Sequence, residues 1–399
     1  MRAVYLDNNA TTRAAPEVVA AMLCCLTEDF GNPSSVHDFG ATSRLAIKEA
    51  RERVRGLLGA AFREEILFTS GGTEADNTAI LGALEAADGR DEIVVSAVEH
   101  PAVLALCAHL ERTRRVKVHR IPVDSLGRLD RARYRAALSR RVALASIMWA
   151  NNETGVVFPV EELAEEAKSV GALFHTDAVQ AVGRLPIAVR DTAIDMLSLS
   201  AHKLHGPKGV GALYVRRGAP FRSLILGGNQ ERGRRGGTEN TPGIVGVGKA
   251  AEMATSRLRG DAARMRALRD RLETSLIARI PNALELGDVE RRLPNTSAIV
   301  CEEADADAIV LLLNRAGVAA SSGAACSAGS PARSHVLRAM AVPAAVAAGA
   351  TRFSLSRDND DDDIDRVIET MPAIVERLRA RSRAPEDVVA PRSAEPAYA

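Results

Sequence analysis

Polar side chains capable of chemistry follow several short apolar runs in the central part of the sequence. The runs have the composition of buried β-strands, and ligands of open α/β sheets bind beyond the carboxyl ends of parallel strands. Singly, these polar residues have ordinary structural explanations, because a strand-end aspartate is often a cap and a lone histidine is usually structural. Together they place histidine, carboxylate, amide, hydroxyl and lysine groups at successive strand ends: His100, Asn152, Asp177, Gln180, Ser200, His202 and Lys203.

A glycine pair and a threonine follow one of these runs, ILFTS. Gly71 and Gly72 free the backbone, and Thr73 stands where a helix opens, which is how a helix N-terminus presents N–H groups to phosphate. Taken alone, the segment is also an ordinary helix N-cap. Pyridoxal 5′-phosphate requires a lysine for a Schiff base, a carboxylate at its ring nitrogen and anchors for its phosphate. The combined set therefore predicts a site for this cofactor.

Two other motifs suggest nucleotide or nucleic-acid chemistry, and we reject both. Residues 243–250, GIVGVGKA, nearly spell a P-loop, but Ala250 offers no hydroxyl for magnesium and no predicted strand leads into the segment. The basic run 231–238, ERGRRGGT, lacks the interleaved aromatic side chains on which bases stack. We interpret that run as a loop that packs against the phosphate site of a second subunit.

The overall composition is that of a folded protein without a global charge. Of the 399 residues, 46% are hydrophobic and 26% charged, and 52 Lys and Arg nearly balance 51 Asp and Glu, so we expect neither nucleic acid nor an anionic membrane as a partner. The apolar runs are too short to span a membrane, and the N-terminus lacks the basic and then apolar pattern of a signal peptide. These features predict a cytoplasmic protein.

Five cysteines without paired spacings predict reduced thiols rather than disulfides or a zinc site. Three of them stand among apolar neighbours, as small core residues do. Cys326 instead stands in ASSGAACSAGSPARS, a run of small and turn-forming residues that predicts an exposed loop. Such a thiol is either accessible for chemistry or a bystander.

The secondary-structure pattern that must position these residues changes along the chain. From about 65 to 215, short apolar runs alternate with amphipathic stretches, which predicts an α/β domain with a mostly parallel sheet. Helical patterns cover 16–28 and 41–58, and one long or two abutting helices follow the sheet region. We predict an N-terminal segment (1–15) that packs with the small domain, a large cofactor-binding domain (16–255), a small α+β domain (256–382) and a disordered tail (383–399).

A spaced set of motifs extends this interpretation to a family. LDNNATT, TSGGTEADN, EHPAVL, ANNETG, HTDAVQAVG, SAHKLHGPKGVGALY, ERGRRGGTEN, SSGAAC and RFSLSR together resemble the cysteine desulfurases, class V of the aminotransferases. The likeness runs from about Tyr5 to Ser382 and is strongest to the nitrogenase-associated NifS type. It implies the α/β fold type I of pyridoxal-phosphate transferases, with a mostly parallel seven-stranded sheet in the large domain and a small α+β domain.

The resemblance implies a homodimer that removes sulfur from L-cysteine, releases L-alanine and holds the sulfur as a persulfide on Cys326. An iron–sulfur scaffold protein would accept the sulfur, for nitrogenase clusters in particular, and Cys326 would serve as a transient iron–sulfur ligand. Two alternatives use the same scaffold, a selenocysteine lyase and a pyridoxal-phosphate aminotransferase. A third is a non-catalytic sulfur-relay partner that retains the fold.

The resemblance also implies a role for each residue that matches a family motif. Lys203 is the Schiff-base lysine and shuttles protons, His100 stacks on the cofactor ring, and Asp177 keeps the ring nitrogen protonated. The remaining positions bind the cofactor's phenolic oxygen and the substrate (Gln180 and Asn152), the phosphate (Gly72, Thr73, Ser200 and His202, with Thr238 donated by the partner subunit) and the substrate carboxylate (Arg352).

Overall fold

The structure, a computed structural model, describes residues 2–323 and 334–383. Cys326 therefore lies outside the described residues, as do positions 384–399 of the predicted tail. The strands are β1 (Val4–Tyr5), β2 (Ile66–Thr69), β3 (Glu92–Ser96), β4 (Lys117–Ile121), β5 (Val142–Ser146), β6 (Leu173–Asp177), β7 (Met196–Ser200), β8 (Gly211–Val215), β9 (Ala283–Glu285), β10 (Thr296–Cys301), β11 (Val318–Ala319), β12 (Ser321–Ser322) and β13 (Ala350–Ser354).

The α-helices occupy the segments between and around these strands. They are α1 (Pro16–Thr27), α2 (Asp38–Leu58), α3 (Gly72–Ala86), α4 (Pro101–Arg114), α5 (Arg131–Ala137), α6 (Val160–Ser169), α7 (Thr241–Arg279), α8 (Ala306–Arg315), α9 (His335–Ala339), α10 (Ala344–Ala347) and α11 (Asp361–Arg383). Across the described parts of the chain, the helices offer no apolar stretch long enough to cross a membrane.

Seven strands form the large sheet, in the order β2-β8-β7-β6-β5-β3-β4. Neighbours from β7 to β4 pair in parallel, while β8 runs antiparallel to both β7 and β2. Its central strands are buried on both faces, which is why their sequences read as continuous apolar runs. The predicted α/β fold with a mostly parallel seven-stranded sheet is confirmed.

A second, four-stranded sheet has the order β12-β13-β10-β9, and its described pairs are all antiparallel. The apolar core beneath it takes side chains from the second half of α7, from α8 and from α11. Val4 and Leu6 are buried in this same core, and β1 pairs in parallel with β11. The N-terminal segment is thus tied to the small sheet, whereas the predicted domain boundaries stay a prediction.

Helix α7 is continuous over 39 residues and includes the whole P-loop-like segment 243–250. The glycines of that segment serve close packing between helices. A Cβ on Gly248 would lie 2.5 Å from Ala50 Cα of α2, whereas a Cβ on Gly260 of the same helix would meet nothing within 4 Å. The closeness of α2 and α7 therefore depends on a missing side chain at position 248.

We predict that Gly248→Val lowers the free energy of unfolding by about 1–3 kcal/mol, because the added methyl groups force the two helices apart. Gly260→Val is the matched control, since it places the same side chain on the same helix in open space. Its effect should stay within about 0.5 kcal/mol. Urea unfolding followed by circular dichroism measures both, and equal losses in the two variants would contradict the packing argument.

Candidate active site

A cavity of about 310 Å³ opens where the parallel strands of the large sheet end. This volume is at the lower limit of ordinary small-molecule sites. Its lining comes from the segments after β2, β3, β5, β6 and β7, together with the N-terminal segment and β13. The lining residues are Asn9, Ala10, Gly72, Thr73, Asp76, His100, Met148, Ala150, Asn152, Asp177, Val179, Gln180, Ser200, His202, Lys203 and Arg352.

The structure brings together all the predicted site residues except two. Thr238 lines a separate cavity of about 260 Å³ beside Ser70 and Gly209, away from the lysine of its own chain. Cys326 lies outside the described residues. The assigned role of each residue stays a prediction; what the structure shows is that the residues predicted at the strand ends line one cavity.

The end of the cavity at the start of α3 is shaped for a group that approaches the backbone. A Cβ on Gly72 would lie 2.9 Å from Val179 Cγ2, so a side chain at this position would collide with the cavity wall. The first N–H groups of α3, a 15-residue helix, have no partner within the helix and favour an anion. His202, nearby, is neutral because burial, and then Lys203, lower its pKa to about 4.

Lys203 is held by the N-terminal segment. Its Nζ donates to the carbonyl oxygens of Asn9 and of Ala10, the latter at 2.7 Å. Asn9 is fixed in turn, because its backbone N–H donates to Ser354 Oγ at 2.9 Å and its Nδ2 to Asn152 O at 3.1 Å. The lysine amine is therefore positioned in the cavity by neutral oxygens.

His100 caps α4, which fixes its tautomer. Its Nδ1 accepts the backbone N–H of Ala102 at 3.1 Å, so the neutral ring carries its proton on Nε2. Burial lowers the pKa of His100, while the carboxylate of Asp177 opposes that shift. The ring is thus held in one orientation on the cavity wall.

The comparisons with known proteins agree with this geometry. The model of the family "Aminotransferase class-V" matches residues 4–367. A cysteine desulfurase of Gluconacetobacter diazotrophicus is 62% identical over 96% of each chain, and "Cysteine desulfurase NifS" of Azotobacter vinelandii is 54% identical over 95% of this chain and 94% of its own. A solved "NIFS-like protein" has a TM-score of 0.88 at 37% identity, covering 94% of this chain and 99% of that one. The chain belongs to the cysteine desulfurases of the class-V aminotransferase family.

Cysteine desulfurases depend on pyridoxal 5′-phosphate, and the acidic groups of the cavity fit its cationic ring nitrogen. Asp177 Oδ1 accepts the N–H of Val179 at 2.9 Å, and burial raises the pKa of the carboxyl against the charges of His100 and Lys203. Asp76 Oδ1, also on the cavity wall, is buried with no hydrogen-bond partner among the described residues. Two buried acidic groups in one cavity lining suit a ligand that carries a positive charge.

Arg352 enters the cavity from β13 with its guanidinium partly satisfied. Nη2 donates to Asp7 Oδ1 at 2.7 Å and Nη1 to Asn152 O at 3.0 Å, while the buried Nε has no partner among the described residues. A guanidinium on the wall, with a free donor, suits a substrate carboxylate in this desulfurase.

Sequence reasoning missed several groups that the cavity uses. Asp7 and Asn9 belong to the quoted LDNNATT motif but received no role, and Asp76 follows Thr73 by three residues, close to one turn of α3. That spacing was a usable signal for Asp76, because residues one turn apart share a face. Arg184 contacts Gln180, and the only sign of this in the sequence is that the two residues are four positions apart.

We predict that buried acids make the protein less stable as the pH rises. Burial raises the pKa of Glu99 from about 4.5 to about 8, and its Oε1 accepts from Ser96 Oγ and Met148 N. Between these values the folded state binds more protons than the unfolded state, so the free energy of unfolding falls with rising pH. Asp76 and Asp177 contribute with the same sign.

The variant Glu99→Gln should flatten that fall by about 1 kcal/mol or more between pH 5 and pH 8. Urea unfolding at each pH measures the slope. Glu165→Gln, which changes an exposed carboxylate of α6, is the matched control and should leave the slope unaltered. A slope in Glu99→Gln equal to that of the wild type would contradict the assignment.

Proposed function

We propose that this desulfurase transfers the sulfur of L-cysteine to Cys326 and releases L-alanine. The observation that carries the proposal is one cavity that combines Lys203, His100, Asp177 and Arg352. An amine, a neutral imidazole, a buried carboxylate and a guanidinium are the groups that cofactor attachment, proton transfer, ring-nitrogen pairing and substrate binding need. When bound, pyridoxal 5′-phosphate supplies the electron sink for this chemistry.

Different residues of the cavity bind the substrate and transfer its protons. Arg352 binds the substrate carboxylate through its guanidinium, whose Nε has no partner among the described residues, and its Nη1 holds the carbonyl of the neighbouring Asn152. Lys203 accepts and returns the proton of the substrate Cα, since the carbonyl oxygens of Asn9 and Ala10 hold its amine on the cavity wall. His100, with its proton on Nε2, donates on the same wall.

The sulfur step assigned to Cys326 is a nucleophilic displacement. The thiolate attacks the Sγ of the bound L-cysteine and forms an S–S bond. The Cβ–Sγ bond breaks, its electron pair stays on Cβ, and Cβ takes up a proton to give the methyl group of alanine. The sulfur is left as a persulfide on Cys326, ready for an acceptor thiol.

We further propose that the persulfide supplies an iron–sulfur scaffold protein, in particular for nitrogenase clusters, with Cys326 as a transient cluster ligand. The identity to a protein named NifS supports this destination. A cytoplasmic location fits the cysteines within 2–323 and 334–383, which are free thiols: Cys24, Cys25, Cys107 and Cys301.

The proposed homodimer is supported by exposed apolar side chains on α1, on the segment that follows it and at the start of α2. Val36 is 99% exposed and Phe30 67%, more than a solvated surface usually leaves to large apolar side chains. The side chains, together called the apolar surface, are Val19, Leu23, Leu26, Phe30, Val36 and Phe39. The position of Thr238 outside its own chain's cavity fits a threonine donated to the partner's site.

We predict that Cys326→Ala keeps the cofactor but loses nearly all release of alanine and sulfide from L-cysteine. Lys203→Ala is the contrasting variant, because it should lose the covalent attachment itself. Borohydride reduction followed by mass spectrometry should find the cofactor attached to wild type and Cys326→Ala only. Equal turnover by wild type and Cys326→Ala would remove the thiol from the mechanism and favour the lyase or aminotransferase interpretation.

We also predict that Phe30→Glu weakens self-association at least about tenfold, since a charge would have to be buried at the subunit contact. Leu311→Glu is the control, because Leu311 is 52% exposed on α8, outside the apolar surface. Sedimentation equilibrium measures both. A monomeric wild type, or equal weakening by the two changes, would contradict the placement of the dimer contact.

A further inference from the structure

Arg184 is a buried guanidinium directly behind the cofactor cavity. The residue is 5% exposed, and no carboxylate of the described residues lies within ion-pair distance of it. Its Nη1 donates to the side-chain oxygen Oε1 of Gln180 at 2.6 Å and to the backbone carbonyl of Gln180 at 2.9 Å. Weaker contacts of 3.5 Å join Nη2 to Asn8 O and Lys203 O.

Burying a cation without a counter-charge is costly, so the position calls for an explanation. Burial, and then the positive charge of Arg352, lower the pKa of Arg184 to about 10. Arg184 itself lowers the pKa of His202 and His205 through its charge. The charge of Arg184 therefore reaches the cavity wall.

The hydrogen bonds of Arg184 decide which way the amide of Gln180 points. A guanidinium has only donors, so the amide atom that faces it must be the oxygen. Gln180 Nε2 donates one hydrogen to Asn9 O at 3.0 Å, and a carbonyl only accepts. Both neighbours impose the same orientation, and the second Nε2 hydrogen has no acceptor among the described residues. Gln180 lines the cavity, where a ligand oxygen would accept that hydrogen.

We propose that Arg184 is a positioning residue that fixes the Gln180 amide as a donor to the ring oxygen of the cofactor and adds a buried positive charge behind it. The inference rests on the proposed role of Gln180. A simpler structural role would resemble that of Arg216, which donates to the carbonyls of Ile194, Val189 and Thr192 away from the cavity. The two roles differ in what they do to bound cofactor.

The test is the pH midpoint at which the visible absorbance of the bound pyridoxal 5′-phosphate changes. A donated hydrogen bond and a nearby cation both disfavour an added proton on the ring system, so Arg184→Met should raise the midpoint by about one pH unit. Arg216→Met is the matched control, because it removes an arginine that also donates to backbone carbonyls but lies away from the cavity. This variant should leave the midpoint unchanged. Thermal unfolding of each variant separates a shifted midpoint from partial unfolding.

Two further variants keep the test decisive if Arg184→Met does not fold. Arg184→Lys retains the charge but a single ammonium cannot reproduce the guanidinium geometry, so it should shift the midpoint in the same direction by less. In a Gln180→Met background the effect of Arg184→Lys should shrink, because the amide through which Arg184 acts is gone. If Arg184→Lys shifted the midpoint in the Gln180→Met background as much as in the wild type, the proposal would be overturned.

The possible failures are distinguishable. A wild-type protein that binds no pyridoxal 5′-phosphate would overturn the proposed function, and this inference with it. A wild type that binds the cofactor normally, with Arg184→Met and Arg216→Met sharing one midpoint, would overturn only the positioning role. A midpoint raised in Arg184→Met alone would support it.

Discussion

The hydrogen bonds of Asn9 are the constraint on which the rest of the site depends. Its backbone N–H and side-chain amide join β13 and β10 through Ser354 Oγ and Thr296 Oγ1, while its carbonyl oxygen accepts from Gln180 and Lys203. One residue of the N-terminal segment thus connects the small sheet to the lysine and amide of the large sheet. The side-chain contacts are buried, so removing the Asn9 amide would leave Thr296 Oγ1, Asn152 O and Asn295 Nδ2 without that partner. The main-chain contacts to Ser354, Gln180 and Lys203 do not depend on the side chain.

The charges around the cavity are arranged so that a ligand completes them. Asp76 and Asp177 are buried acids of the lining, while Arg352 lines the same cavity with a partnerless Nε among the described residues and Arg184 is buried behind Gln180. Burying charged groups is costly, and a ligand that carries both a cationic and an anionic group offsets part of that cost. Stability and binding are therefore linked, because a ligand that binds only the folded state stabilises it.

The sequence predicted the sheet and much of the site for the same physical reason. Central parallel strands need apolar side chains on both faces, so the runs are visible, and their carboxyl ends place His100, Asp177 and Lys203 at one edge. Contacts made across the fold left no such pattern. Asp7 accepts a hydrogen bond from Arg352, 345 positions away in the chain, and the residues of LDNNATT contain no pattern that predicts this contact. The burial of Arg184 is likewise a product of tertiary packing.

Gly323 and Ser334, the described residues on either side of the sequence that contains Cys326, each form a hydrogen bond next to residues that line the cavity. Gly323 donates its N–H to Ala350 O at 2.8 Å, beside the strand residue Arg352. Ser334 Oγ donates to the buried carboxylate of Glu153 at 2.5 Å. Burial raises the pKa of Glu153 to about 7, against the Ser334 hydrogen bond and the charge of Arg352. The same arginine that suits the substrate carboxylate thus also favours the ionised Glu153, so substrate binding and the contact between Ser334 and Glu153 share one buried charge.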